Sequence, residues 1–151
     1  MELTLREIAN DNWIECISLR SKEDDKNKIF EEFTPSNAFS LAQSSMEGTW
    51  ITKGIYVEET MVGFTMYGLD AHRNVYEISR LMIDYKYQKK GYAKEALKLI
   101  IEDMEKTLLC NEIYTSFNPE NEGAAGLYKD FGFEFTGAFI DDELVYRMYI
   151  N

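Results

Sequence analysis

One histidine, two cysteines and two prolines are all that this 151-residue chain holds of those three residue types. Any Ser-His-Asp or Cys-His mechanism, and any histidine-based metal site, would have to rest on His72. Cys16 and Cys110 stand far apart, with neither zinc-ligand spacing nor a dense disulfide pattern, which fits a reducing cytosol. No run of about 18 apolar residues exists, so no membrane-spanning helix is expected. Residues 1–7 lack a basic flank and an apolar stretch, so no secretory signal is expected. Basic residues are also scarce: 16 Lys and Arg face 27 Asp and Glu, for a net charge of −11. A nucleic-acid binder carries a basic footprint, and this chain has none. An acidic surface attracts cations and repels phosphates, so the charge suits either plain solubility or a cationic substrate.

Hydrophobic residues make up 45% of the chain and aromatics 14%, too many for a disordered polymer. The length points to one domain over residues 1–151, burying about 68–70% of the surface that the unfolded chain exposes. Residues 2–8 alternate as a strand, and Asn10-Asp11-Asn12 offers caps for a helix with Trp13, Ile14 and Ile17 on its apolar stripe and Cys16 and Leu19 as its further candidates. Cys16 reads as a small core residue of that helix. Residues 21–34 are charged and irregular. A second helix starts after Pro35, with Ser36 near its cap, and stops at Gly48.

The period then changes. Residues 50–58 and 61–69 form a hairpin about Glu59-Thr60, and 75–83 is a third strand. Residues 93–108 are a helix, because Ala93, Leu97, Ile100, Met104 and Leu108 recur at helical spacing. A strand over 112–117, a short helix over 121–130 ended by Gly132, and a hairpin of 133–139 with 143–150 complete the chain. The order β-α-α-β-β-β-α-β-α-β-β predicts an α/β fold: a mixed sheet with helices on both faces.

Chemistry concentrates where the third strand leaves Ile83 and the chain enters a helix through Gln88-Lys89-Lys90-Gly91-Tyr92-Ala93. Small residues in a helix's first turn let a ligand approach the backbone closely. Free N–H groups and the positive end of the helix dipole favour an anion. Lys89, Lys90 and Lys94 add positive charge, so the segment suits a pyrophosphate or is a basic, solvated strand–loop–helix link. Neither G-x-G-x-x-G nor a Walker loop is present.

Residues 88–93 resemble the Q/R-x-x-G-x-G/A motif of the GCN5-related N-acetyltransferases. Asn121 through Phe133 resembles that family's N-x-x-A-x-x-L-Y-x-x-x-G-F segment. The two lie in the family's order, and the element order matches over nearly the whole chain. The likeness runs toward the small-amine branch, the bacterial spermine/spermidine acetyltransferases, through residues 63–68, 80–84 and 87–88.

The resemblance implies the acyl-CoA N-acyltransferase fold, acetyl-CoA as co-substrate and no metal. It implies that Leu81, Met82 and Ile83 meet the pantetheine arm, that Gln88, Lys89, Lys90, Gly91, Tyr92, Ala93 and Lys94 hold the pyrophosphate, and that Asn121 and Ala124 flank the arm. Tyr128 matches the family's general acid; its bland alternative is a tyrosine packing its helix on the sheet. Glu77 is the candidate base, with a solvated carboxylate as its alternative and Ser79 as a weaker relay. Asn121 is equally a helix N-cap. Glu23, Asp24, Asp25, Glu31 and Glu32 fall where the family's acceptor site commonly lies, or form a solvated charge run. Trp50, Tyr56, Tyr67 and Phe33 either stack on a cationic amine or fill the core. His72 reads as solvated.

The expected activity is acetyl transfer to a primary amine, a polyamine foremost. An aminoglycoside-like amine, a protein N-terminus or lysine, and a non-catalytic acyl-CoA sensor are the alternatives. The expected partners are acetyl-CoA and a cationic small molecule, with neither membrane nor nucleic acid. A cytoplasmic location is expected, and a homodimer is permitted.

Overall fold

The computed structural model describes residues 2–22 and 36–150. Its elements follow the expected order: β1 Leu3–Glu7, α1 Trp13–Ser18, α2 Asn37–Glu47, β2 Trp50–Val57, β3 Thr60–Asp70, β4 Val75–Ile83, α3 Tyr92–Thr107, β5 Glu112–Phe117, α4 Glu122–Asp130, β6 Glu134–Ile140 and β7 Glu143–Tyr149. The strands form one mixed seven-stranded sheet in the order β1-β2-β3-β4-β5-β7-β6. No helix among the described residues is long and apolar enough to cross a membrane.

Local chemistry sets most boundaries. Ser36 caps α2 by accepting the Phe39 N–H at 3.1 Å, and Gly48 ends it in the left-handed region at φ 75°. The α3 stripe buries Leu97, Ile100 and Met104 against Ile78 and Ile113 on one face of the sheet. The opposite face is covered by α1 and α2, where Cys16 packs with Phe64, Met66 and Met82. Helices therefore lie on both faces, as the mixed pattern predicts.

Two expectations are corrected. Trp13, Ile14 and Ile17 are exposed, Ile14 at 61%; the residues that face the sheet are Cys16 in α1 and Leu19 just past its end. Asn12 turns back so that its Oδ1 accepts the Ala9 N–H at 2.7 Å, and this entry angle points Cys16 inward. The β2–β3 turn falls at Glu58-Glu59, one residue early, because Val57 pairs with Thr60 and Glu58 takes φ 55°.

The site is made by a strand pairing that stops. β4 and β5 are parallel and share only the pairs Glu77↔Tyr114 and Ile78↔Thr115. Past that point β4 stays with β3, while β5 stays with β7. A register shift opposite Met66 and Tyr67 leaves Ser79 as a bulge on β4, which turns the strand further away. The strands splay and a wedge opens between residues 79–83 and 116–117.

Candidate active site

The wedge widens into a cleft of about 1380 Å³. One end is the start of α3. Lys89 and Gly91 both take left-handed conformations, at φ 63° and 83°, and bend the loop directly into the helix. No side chain caps that end, so the N–H groups of Tyr92, Ala93 and Lys94 have no partner within the helix. A Cβ at Gly91 would meet nothing within 4 Å, so the space beside this backbone is open. Lys89 and Lys94 line this end. Along the flank, residues 79–83 present a backbone edge with no strand partner on the β5 side.

Tyr128 stands where the strands part. Its ring stacks on Phe117, centroids 5.7 Å apart, and meets Phe133 edge-on at 5.1 Å. Its hydroxyl is hydrogen-bonded with Thr115, whose own Oγ1 donates to the Ile78 carbonyl at 3.0 Å. Burial pushes the phenol up to about 12, so it keeps its proton at neutral pH. Tyr128 packs its helix on the sheet and is also among the residues that line the cleft.

The other end of the cleft is acidic. Glu77 is only 8% exposed, and its Oε2 accepts from Arg73 Nη2, whose Nε donates to Asp70 Oδ2 at 3.0 Å. Burial raises the Glu77 carboxyl above its ordinary value; the Arg73 guanidinium opposes this, and the Asp70 and Glu143 charges add to it. Glu143, at the start of β7, lines the same cleft and accepts from Ser116 Oγ at 3.1 Å. Burial raises its carboxyl too. Among the described residues Glu143 has no cationic partner.

Leu81, Met82, Ile83, Gln88, Lys89, Gly91, Tyr92, Ala93, Lys94, Asn121 and Ala124 all line the cleft with Tyr128 and Glu77. Lys90 does not line it and is exposed. Asn121 is the N-cap of α4, its Oδ1 accepting the Ala124 N–H at 3.0 Å. The Gln88 side chain is engaged by the protein itself: its Nε2 donates to the Ser21 carbonyl at 2.7 Å and the Ile83 carbonyl at 2.9 Å. Tyr67 is fully buried and bonded to Asp103, and Tyr56 lies under Arg6, so both are structural. His72 is exposed. Glu23, Asp24, Asp25, Glu31, Glu32 and Phe33 lie outside the described residues.

Sequence reasoning missed Arg73, Thr115, Ser116 and Glu143. Arg73 reaches Asp70 and Glu77 across the β3–β4 turn; Thr115, Ser116 and Glu143 act on residues of other elements, and no local pattern marks those pairings.

Residues 4–133 match the model of the acetyltransferase (GNAT) family. The chain is 29% identical over 143 residues to the spermine/spermidine N(1)-acetyltransferase of Bacillus subtilis, covering 91% of each chain. In fold it is similar to the spermidine N-acetyltransferase of Vibrio cholerae in complex with CoA and spermine. The TM-score there is 0.72 at 21% identity, over 98% of this chain and 94% of that one. It is also similar to the PaiA N-acetyltransferase of Thermoplasma acidophilum in complex with coenzyme A, with TM-score 0.70 at 18% identity, over 99% of both chains.

Proposed function

The chain belongs to the acetyltransferase (GNAT) family, and from that premise we propose that it transfers acetyl from acetyl-CoA to a primary amine of a polyamine such as spermidine or spermine. The observation that carries the substrate reading is the polarity of the cleft. One end offers lysines and free helix N–H groups; the other offers Glu77 and Glu143, the latter without a cationic partner among the described residues. The first suits phosphates, the second an ammonium. The Bacillus subtilis relative carries a polyamine in its name.

The N–H groups of Tyr92, Ala93 and Lys94, with Lys89, hold the pyrophosphate. The unpaired β4 edge over 79–83 holds the pantetheine arm. An aliphatic amine arrives protonated, with a pKa near ~10.4 if it behaves like lysine. Glu77 takes that proton, directly or through water. The freed nitrogen attacks the thioester carbonyl; the C–N bond forms, the C–S bond breaks, and Tyr128 protonates the departing sulfur. Cys16 and Cys110 are free and buried, which supports a reducing, cytoplasmic setting. A homodimer would cover Phe135 and Phe139, exposed on edge strand β6.

The test is thiol release from acetyl-CoA with spermine, spermidine, putrescine, an aminoglycoside and a lysine-bearing peptide. Turnover concentrated on the polyamines is expected. Turnover confined to the aminoglycoside or the peptide would replace the polyamine as acceptor. Silence across the panel would remove the amine reading.

A charge-assisted contact contributes about 1.5–3 kcal/mol, and 1.4 kcal/mol is tenfold in affinity. Glu143→Gln is therefore expected to raise the polyamine KM about tenfold or more and to leave the acetyl-CoA KM within about twofold. An unmoved polyamine KM would take Glu143 out of the amine site.

A further inference from the structure

The segment that leaves α1 is bound to the loop that leads into α3, and Gln88 is the side chain that closes the joint. Both N–H groups of its amide are committed, to the Ser21 carbonyl at 2.7 Å and the Ile83 carbonyl at 2.9 Å. Nearby, the buried Asp84 accepts the Arg20 N–H on Oδ1 at 2.8 Å and the Lys86 N–H on Oδ2 at 3.2 Å. The Tyr85 N–H donates to the Arg20 carbonyl at 2.7 Å. Three backbone polar groups of two adjacent residues (Arg20 N–H, Arg20 C=O and Ser21 C=O) are thus satisfied by residues 84–88.

Ser21 and Lys22 line the cleft on the side of α1 and α2, beside Phe39 and Gln43. Lys89 and residues 91–94 line the end proposed for the phosphates. Gln88 sits between these walls, next to the loop's first left-handed residue. Its Ile83 bond fixes the loop to the end of β4, and its Ser21 bond carries that constraint across to the α1 side.

We propose that Gln88 is a positioning residue that couples the Ser21–Lys22 wall of the cleft, and through it the amine bound in the cleft, to the acetyl-CoA loop. Its side chain acts on the Ser21 and Ile83 carbonyls and not on the phosphates. This rests on the proposed reaction for the identity of the two ligands. An amide with both donors on backbone oxygens has none left for an anion. Coupling between two sites is reciprocal and typically amounts to 5–150-fold.

Two measurements test it. Amide hydrogen exchange over residues 19–22 is followed with and without CoA, and needs no turnover. Exchange there is expected to slow several-fold when CoA binds the wild type, and to respond far less in Gln88→Met, which keeps the volume and loses the donors. No response in the wild type, or an equal response in the variant, would overturn the coupling even if polyamines are turned over. Silence in the thiol-release panel would instead remove the proposed reaction and leave the exchange result standing.

Kinetically, Gln88→Met is expected to raise the amine KM about fivefold or more while the CoA Kd moves less than about twofold. Gln88→Arg, whose guanidinium can again donate to two carbonyls, should bring the amine KM back. A loss confined to CoA affinity would make Gln88 a phosphate ligand and sink the proposal. A melting temperature shared by all three proteins excludes general unfolding as the cause.

Discussion

Tyr128→Phe is expected to lower kcat about a hundredfold or more while the Kd for CoA stays within about twofold. The substitution keeps the ring, so the stack on Phe117 and the edge contact with Phe133 survive. What is lost is one hydroxyl that burial holds protonated, with Thr115 as its hydrogen-bond partner. A positioned general acid contributes about 10²–10⁴-fold, which sets the size of the effect. Single-turnover measurement of thiol release, with CoA affinity taken separately, distinguishes an acid from a packing residue. A variant that retains kcat would assign protonation of the sulfur to water and leave Tyr128 as core. A wild type that binds CoA and turns over no amine would favour the sensor.

The second large effect is at Glu77 and is read as a pH profile. Glu77→Gln is expected to lower kcat by about 10²-fold or more if the carboxylate takes the amine's proton. Its sign with pH follows from its surroundings. Burial raises the carboxyl, so the protonated, incompetent form persists to higher pH than for a free glutamate, near ~4.3. The acid limb of kcat/KM, which reports the free enzyme, should therefore lie above that value. Arg73 favours the ionised form through its ion pair with Oε2. Arg73→Ala should shift the acid limb to higher pH and spare the rate on its alkaline side. The same acid limb in Glu77→Gln as in the wild type would mean that another group titrates, and full activity of that variant would leave proton removal to a water relay.

The long helix, the β4 boundaries and the last hairpin were legible because their signals are local. In α3 the apolar side chains recur with the helix period, so burial and sequence carry the same pattern. Ser36 and Gly48 mark α2 through bonds and torsions within one turn of each residue. The short α1 was misread because six residues present too little period to choose a face. The Asn12 turn and the available sheet surface chose Cys16 and Leu19 over Trp13, Ile14 and Ile17.

The motifs singled out the α3 loop, the β4 edge and Tyr128, and all three line one cleft. They did not place what each side chain does. Gln88 belongs to a motif read as a pyrophosphate binder, yet its amide holds backbone carbonyls as far away as Ser21.

The sequence by itself determined the family, the element order and the positions of the loop, strand and tyrosine that line the cleft. Those features rest on side-chain type, period and short-range geometry, all of which are written along the chain. Only the tertiary structure decided that β4 and β5 part after two residue pairs, that Arg73 guards Glu77, that Glu143 faces the same space, and that Gln88 ties one wall to the other. The Arg73–Glu77 pair spans four residues across a turn; each of the others depends on a partner distant in sequence or on a backbone carbonyl. Every residue carries such a carbonyl, so no residue type marks which one will be used.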